Sequence, residues 1–325
     1  MKVDRNLMST RHKRTRVVIS FYDRRPQVHL KRLLDRMAHF DAGGPYDVLI
    51  VVNSTGDLRI EPQLGDNAAI VYRENTGMNI GAWNAGWLDD RSYEQYVFLQ
   101  DECFPIRNDW LKWLTDPLKD IGIGLVGESF NPAWDADWRT LSKAHLGSEL
   151  PDHFINRRPA PRVEVYLNAM KTWGIDPGDT GKHLRSLVWS MRRETLEQIG
   201  GFPIGGNYGE CIAAEIGVSR LIESKGLRLE QAGPRPFHAV AHFEWNPDTP
   251  HVAHSHKRRP VHEVPPRSRA EMDYEAAKAW AQAVAIKGEA PSGPELLEII
   301  SLKLKLSDRN AEIKQLRNAL MKAKR

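Results

Sequence analysis

The sequence has little cysteine and no long hydrophobic run, and each scarcity excludes a class of protein. The two cysteines, Cys103 and Cys211, cannot form a disulfide framework, so a reducing, cytoplasmic setting is expected. No apolar run approaches the about 18 residues that span a bilayer, which argues against a membrane-embedded protein. The first sixteen residues are basic and have no apolar stretch, so they are not expected to act as a secretory signal.

The excess of one sign of charge over the other is also small, because the net charge is only +4 over 325 residues. The basic residues concentrate at 11–16, at 256–260 and at the end of the chain. These clusters fit either an anionic partner, such as the surface of a membrane, or simply solvated tails. Peripheral membrane contact therefore stays open, and no specific nucleic-acid recognition is expected.

Apolar segments with strand and helix periodicity alternate over the first 130 residues. Because several predicted strands are continuously apolar, we expect them to be buried on both faces. This alternation predicts an α/β fold, a doubly wound and mostly parallel sheet with helices on both faces. The predicted strands are 16–21, 46–53, 68–72, 93–99 and 121–126, and the predicted helices are 28–40, 79–88 and 110–118.

The rest of the chain is less regular. Residues 128–185 are rich in Pro, Trp, Asp and Arg and predict an irregular excursion with a helix near 163–172, of the kind that serves as a binding loop. Order returns in a strand and helix over 187–199, which a glycine pair ends, and in a helix over 212–224. The predicted organisation is a basic tail (1–14), one main domain (15–265) and a helical segment (266–290), followed by a C-terminal amphipathic helix (294–325).

The C-terminal helix carries apolar residues at alternating spacings of three and four. This pattern is typical of a coiled coil, which would make a homo-oligomer, and equally of an amphipathic helix folded back on its own domain.

The segment VFLQDECFP (97–105) sets Asp101 and Glu102 side by side at the end of an apolar strand. Carboxylates at the carboxyl edge of an open α/β sheet lie where such folds bind ligands. Two adjacent buried carboxylates need a compensating cation, and their oxygens suit Mg²⁺ or Mn²⁺. The segment therefore predicts a site for a divalent ion and a diphosphate.

Five further segments support this interpretation. Together with FLQDECFP they resemble, in order, the motifs of family 2-type glycosyltransferases with the GT-A fold. The resemblance implies a GT-A-type sheet and a metal-dependent, inverting transfer of a sugar from a nucleotide-sugar donor to a glycan or other hydroxyl acceptor. The segments are VVISFYDRRP (17–26), DVLIVVNSTGD (47–57), YRENTGMNIGAWNAGW (72–87), LVWSMRRETLEQIGGFP (187–203) and YGECIAAEIGVSRLIESKG (208–226).

The resemblance also assigns roles to residues. It implies that Mn²⁺ or Mg²⁺ is held by Asp101, Glu102 and His242, with His238 as the reserve histidine. Either Glu215 or Glu210 is the general base, and the motif spacing leaves both open. The donor-binding residues implied by the motifs are Ser20, Phe21, Tyr22, Asp23, Asn53, Asn84, Gln100 and Asp101.

Two of these residues depart from the family pattern. Gln100 replaces one acid of the metal motif, and Asn53 stands where the family usually has an acid that recognises the base. These departures keep open a degenerate, non-catalytic binding or scaffold module.

A nucleotidyltransferase is a third candidate function, because such enzymes share the α/β sheet and the metal-carboxylate logic. They normally have a glycine-rich, basic phosphate loop after the first strand. The corresponding segment here, SFYDRRP, has arginines but no glycine.

The segment WDADW (134–138) is a second candidate for the metal site, because it contains a true D-x-D. It follows the fifth predicted strand and not the fourth. Its tryptophans would equally suit the face of an acceptor sugar.

Overall fold

A central sheet organises the part of the chain that the computed structural model describes, which is residues 15–25, 27–54, 68–145, 149–155 and 158–243. The predicted tail 1–14 and the predicted helices at 266–290 and 294–325 lie outside these residues and stay predictions.

The central sheet has seven strands. They are β1 (Thr15–Tyr22), β2 (Asp47–Ser54), β3 (Ala68–Glu74), β4 (Gln95–Gln100), β6 (Ile123–Gly127), β9 (Val188–Arg192) and β10 (Arg228–Gln231). Their order in the sheet is β10-β6-β9-β4-β1-β2-β3. Neighbouring strands are parallel except β9, which runs antiparallel to both β4 and β6. The described residues also form two small antiparallel pairs, β5 (Cys103–Pro105) with β11 (Val240–His242) and β7 (Glu149–Ile155) with β8 (Arg158–Pro161).

Helices cover both faces of this sheet. The helices are α1 (Val28–His39), α2 (Met78–Asp89), α3 (Trp110–Thr115), α4 (Trp138–Ala144), α5 (Arg162–Thr172), α6 (Arg193–Ile199) and α7 (Tyr208–Ser224). One core cluster joins α1 and α3 to Val17, Ile19 and Phe21 of β1, and the other joins α2 and α7 to Val18. The alternation along β1 explains why Val17, Val18 and Ile19 are apolar in succession, and the predicted doubly wound α/β class is confirmed.

The parallel strands align their carboxyl ends. Ser20 is in register with Gln100, and Tyr22 is in register with Asn53. Polar residues that end three different strands are therefore neighbours, although dozens of residues separate them in sequence.

The excursion is more ordered than its composition indicates, and the expectation of irregular structure over 128–185 is wrong in part. Besides the expected helix, which is α5, it contains α4, the β7–β8 hairpin and a short 3₁₀ turn (Pro132–Trp134). Trp134, Leu141 and Tyr166 belong to a third core cluster, which also includes Ala213 and Ile216 of α7. The excursion is ordered because it packs its own core against α7.

Local chemistry sets several helix ends. α3 gives way at Asp116 to a 3₁₀ turn because Pro117 has no backbone N–H to donate. α6 ends at Gly200, whose φ of 74° lies in the left-handed region that glycine adopts readily. Among the helices of the described residues, none combines the length and apolar character needed to cross a bilayer.

Candidate active site

A cleft of about 820 Å³ opens at the carboxyl edge of the parallel strands. We call its two walls the strand half and the helix half. The strand half is lined by Ser20, Phe21, Tyr22, Asn53, Gln100 and Asp101. The helix half is lined by Asn131, Trp134, His145, Arg162, Arg185 and Glu215. Many of the predicted catalytic and donor-binding residues therefore meet in one cavity, at the edge where open α/β sheets bind ligands.

Asp101 is a buried carboxylate in the strand half. The residue is only 4% exposed, and its Oδ2 has no hydrogen-bond partner among the described residues. Burial raises the pKa of Asp101 to about 7, with Arg25 opposing the shift and Glu102 adding to it. A buried carboxylate with an unpartnered oxygen is poised to accept a proton, a cation or a ligand hydroxyl.

The neighbouring carboxylate, Glu102, has charged partners, unlike Asp101 Oδ2. Its Oε2 is 2.5 Å from Arg25 Nη1 and 3.7 Å from His242 Nε2. The nearby imidazole of His242, together with the charge of Arg25, lowers the pKa of Glu102 to about 2. His242 reaches this position because β11 pairs with β5 and places it opposite Cys103. Neither Glu102 nor His242 lines the cleft directly.

The reserve histidine, His238, lies elsewhere. Arg107 Nη1 donates to His238 Nε2 at 2.7 Å, and the imidazole packs edge-on against Trp113 at 4.4 Å between centroids. Its contacts therefore stabilise the fold beside the sheet and do not favour a role as metal ligand.

The donor set for a divalent ion is smaller than the sequence predicts. The described residues contain no group of three or more His, Cys, Asp or Glu side chains arranged to hold a metal, so Asp101, Glu102 and His242 do not converge. Glu102 and His242 are nevertheless near enough for one oxygen and one nitrogen to share an ion. Mg²⁺-type sites commonly use one or two protein ligands and complete their shell with water and substrate phosphates. The pair Glu102–His242 fits such a site, and Arg25 competes for the same carboxylate oxygen.

Asn53 is held by the protein at both ends of its amide. Its Nδ2 donates to Met78 O at 2.9 Å, and its Oδ1 accepts from Arg73 Nη1 at 2.7 Å. Asp23, predicted beside it as a donor-binding residue, accepts from Ser54 Oγ at 2.8 Å and does not line the cleft. The contacts of Asn53 hold the start of α2 in place. Because both side chains already have partners within the protein, they are less suited to binding a nucleotide base than the sequence suggests.

Asn84 is not part of the cleft. Its Oδ1 accepts from the backbone N of Phe202 at 3.0 Å and ties α2 to the segment after Gly201. The glycines that flank Asn84 in α2 also serve packing, since a Cβ on Gly86 would lie 2.3 Å from Val18 Cγ1. The prediction of Asn84 as a donor-binding residue therefore has no support in the geometry, and its amide serves the packing of α2.

The backbone of a single residue, Ser186, links the two halves. Gln100 Nε2 and Asn79 Nδ2 both donate to Ser186 O, at 2.7 and 2.8 Å, and Ser186 N donates to Glu215 Oε1 at 2.6 Å. Gln100 thus holds a neighbouring loop and, through it, a carboxylate. The sequence does not predict a role for Asn79 or Ser186, because their importance arises only from this contact.

The structure separates the two candidate bases. Glu215 lines the cleft from α7, and His183 Nε2 lies 3.8 Å from its Oε1. Glu210 occupies the first turn of the same helix, where Asn207 caps Glu210 N and Glu210 Oε2 accepts from Gly206 N at 2.7 Å. Glu210 therefore stabilises the start of the helix and does not line the cleft.

The D-x-D of WDADW is not arranged as a metal site. Asp137 caps α4 by accepting from Thr140 N and Thr140 Oγ1, at 2.9 and 2.7 Å. Trp138 Nε1 donates to Gly178 O at 2.9 Å. Trp134 alone of this segment lines the cleft, and it is mostly buried, so a ligand surface formed by this segment stays a prediction.

Comparison with known proteins adds information on the fold. No protein-family model and no curated protein matches this chain. Among solved structures, the mannosyltransferase PcManGT from Pyrobaculum calidifontis, in complex with GDP-Man and Mn²⁺, aligns with a TM-score of 0.45 and 19% identity, covering 91% of this chain and 81% of that one.

Two more solved structures align in the same way. Glucosyl-3-phosphoglycerate synthase from Mycobacterium tuberculosis, in complex with phosphoglyceric acid, has a TM-score of 0.43 and 16% identity, with 86% of this chain and 82% of that chain covered. GalNAc-T7 with UDP, GalNAc and Mn²⁺ has a TM-score of 0.41 and 12% identity, with 72% and 44% covered. At these identities the likeness concerns the fold alone.

Proposed function

We propose that this protein is a glycosyltransferase that moves a sugar from a nucleoside-diphosphate donor to an acceptor hydroxyl. The observation that carries the proposal is one cleft lined by two carboxylates in different environments. Asp101 lies buried at the strand edge, and Glu215 lies in the helix half, anchored by the backbone N of Ser186. Glycosyl transfer needs a group that accepts a proton, which Glu215 offers, and a separate centre that binds the anionic leaving group, for which Arg25 lines the cleft near Asp101.

The strand half suits the donor. Tyr22 lines it beside Arg25, so it offers an aromatic ring for a base and a guanidinium for a phosphate. Phe21 lies beneath them and is buried in the core. Glu102 and His242 are the residues that would hold a divalent ion, which supplies Lewis-acid stabilisation of the diphosphate when bound. The choice of Mn²⁺ or Mg²⁺, the cytoplasmic location and oligomerisation through the C-terminal helix remain proposals that depend on the sequence.

The helix half suits the acceptor and the base. We propose that Glu215 takes the proton of the attacking hydroxyl, which corresponds to single displacement with inversion. The hydrogen bond from Ser186 N occupies Oε1 and so directs the other oxygen of the carboxylate towards a ligand. This arrangement fixes the orientation of the carboxylate while leaving one oxygen as acceptor.

A non-catalytic binding module is the second candidate, because Arg25 already neutralises Glu102. Such a module would bind a nucleotide or a glycan without breaking the donor. A nucleotidyltransferase is less favoured, since the turn after β1 contains Asp23, Arg24 and Arg25 and no glycine.

The test is a donor-hydrolysis screen. Common UDP- and GDP-sugars are incubated with Mn²⁺, with Mg²⁺ or with EDTA, and free nucleoside diphosphate is measured. Glu215→Gln should lower turnover by about a hundredfold or more while nucleotide binding persists. Glu223→Gln, on the exposed side of the same helix, is the matched control and should retain full activity.

Two outcomes separate the candidates. Nucleotide binding in the absence of turnover with every donor, and equal behaviour of Glu215→Gln and wild type, would favour the binding module. Loss of turnover in Glu210→Gln, with Glu215→Gln active, would return the base to the first turn of α7.

A further inference from the structure

Arg25 supplies a positive charge to the two adjacent carboxylates of the strand half. Its Nη1 lies 2.5 Å from Glu102 Oε2. For Asp101, burial raises the pKa and the charge of Arg25 opposes that rise, so the same guanidinium acts on both carboxylates. Two neighbouring carboxylates in a partly desolvated place need a compensating cation, and a side chain of the protein already takes that position.

The second partner of Glu102 is held more firmly than the first. The imidazole of His242 is buried, and the pairing of β11 with β5 brings its Nε2 to 3.7 Å from the same oxygen, Oε2. Phe243 N also donates to Glu102 O at 3.1 Å, which fixes the two backbone segments relative to each other. Glu102 and His242 thus form a fixed pair of one oxygen and one nitrogen, which a divalent ion can use together with water and phosphate oxygens.

Arg25 is the exchangeable member of this group. Its side chain is 44% exposed, whereas that of Glu102 is 18% exposed and that of His242 is 3% exposed. Arg25 N donates to Tyr22 O at 2.8 Å, so the turn after β1 holds the main chain while the long side chain is able to change rotamer. Arg25 also lines the cleft, and a guanidinium that leaves Glu102 therefore stays beside the proposed donor site.

We propose that Arg25 holds the cation position at Glu102 until a divalent ion binds there, and that its guanidinium then binds the diphosphate of the donor. The proposal rests on the proposed function, because it assigns Arg25 to the leaving group. Two cations at one carboxylate oxygen repel each other strongly, so Arg25 and the ion exclude each other at Oε2. A guanidinium binds phosphate oxygens in pairs, which gives the displaced side chain a new anionic partner.

The exchange predicts that removal of Arg25 improves the metal site. MnCl₂ is titrated into the full chain without nucleotide, and free Mn²⁺ is measured by electron paramagnetic resonance. Arg25→Gln should bind Mn²⁺ about tenfold more tightly than the wild type or better, because the ion no longer has to displace the guanidinium. Glu102→Gln and His242→Gln should each bind Mn²⁺ about tenfold more weakly or worse, which assigns the ion to this pair.

Nucleotide binding tests the second part of the proposal. UDP and GDP are titrated by calorimetry in saturating Mn²⁺ and, separately, in EDTA. In Mn²⁺, Arg25→Gln should bind the nucleotide about tenfold more weakly than the wild type, and in EDTA, where Arg25 stays with Glu102, the loss should be smaller. Arg36→Gln is the matched control, because Arg36 is an exposed arginine of α1 that packs on Phe40, and its loss should change neither affinity. The thermal midpoint of each variant reports whether it is folded.

The outcomes separate the two parts from the proposed function. Absent, equal or weaker Mn²⁺ binding by Arg25→Gln contradicts the exchange, and so does Mn²⁺ binding that Glu102→Gln and His242→Gln leave unchanged. Tighter Mn²⁺ binding with unchanged nucleotide affinity in Arg25→Gln would overturn the assignment of the guanidinium to the diphosphate. The predicted Mn²⁺ affinities in a chain that binds neither nucleotide would refute glycosyl transfer and support the exchange of cations at Glu102.

Discussion

Replacing Asp101 by Asn should stabilise the protein, and more so as the pH rises. The wild-type carboxyl is buried, and its pKa rises from an ordinary 3.8 to about 7. Because the folded state binds this proton more tightly than the unfolded chain, wild-type stability is highest below the unfolded pKa and falls as the pH rises towards 7. At about 1.4 kcal/mol per pKa unit, the ionised carboxylate costs about 4 kcal/mol above neutrality. Asn has a similar shape and no charge, so it removes this cost.

The assay is urea-induced unfolding of wild type and Asp101→Asn at several pH values between about 5 and 8. The difference in unfolding free energy should grow by about 3 kcal/mol over this interval. Asp35→Asn is the control, because Asp35 is an exposed carboxylate paired with Lys31 and its replacement should give a small difference that varies little with pH. A flat difference for Asp101→Asn, or a variant less stable than wild type at pH 8, would refute the claim that this carboxylate is buried without compensation.

Two further replacements test the link to the base and the packing of α2. Gln100→Ala removes a donor to the carbonyl of Ser186, the residue whose backbone N anchors Glu215, so turnover in the donor-hydrolysis assay should fall by about tenfold or more while calorimetry finds nucleotide affinity unchanged. Equal losses of turnover and affinity would mean that Gln100 contacts the donor itself. Gly86→Ala should lower the unfolding free energy by about 1 to 3 kcal/mol because its Cβ would meet Val18, whereas Gly44→Ala, which meets no atom within 4 Å, should have little effect.

The sheet was predictable because its determinants are local. Continuously apolar stretches such as 48–52, separated by helices with an apolar stripe, specify a sheet buried on both faces, and the two core clusters that β1 and β2 join agree with this. The excursion was less predictable, because Trp134, Leu141 and Tyr166 form a core only when α7 lies beside them. No periodicity within a single segment contains that information.

In the candidate site, too, the residues that could be predicted are those whose position depends on local sequence. Asp101 was visible as an acid at a strand end, since the position depends on one strand and its neighbours. The roles of Asn53 and Gln100 were not, because an amide looks equally suited to a ligand and to a backbone group until its partners are known. Here Asn53 contacts Met78 and Arg73, and Gln100 contacts Ser186.

The same reasoning explains why Glu215 and Glu210 could not be separated by counting residues. Both lie on one helix, and either fits a motif read from one end. The two carboxylates differ in their hydrogen-bond donors. Glu215 accepts from the backbone N of Ser186 in a remote segment, whereas Glu210 accepts from the backbone N of Gly206 in the turn immediately before the helix. A carboxylate that satisfies its own helix start serves the fold. A carboxylate that a distant loop orients and that also lines a cleft is in a position to meet a ligand, and this is the physical reason for proposing Glu215 as the base.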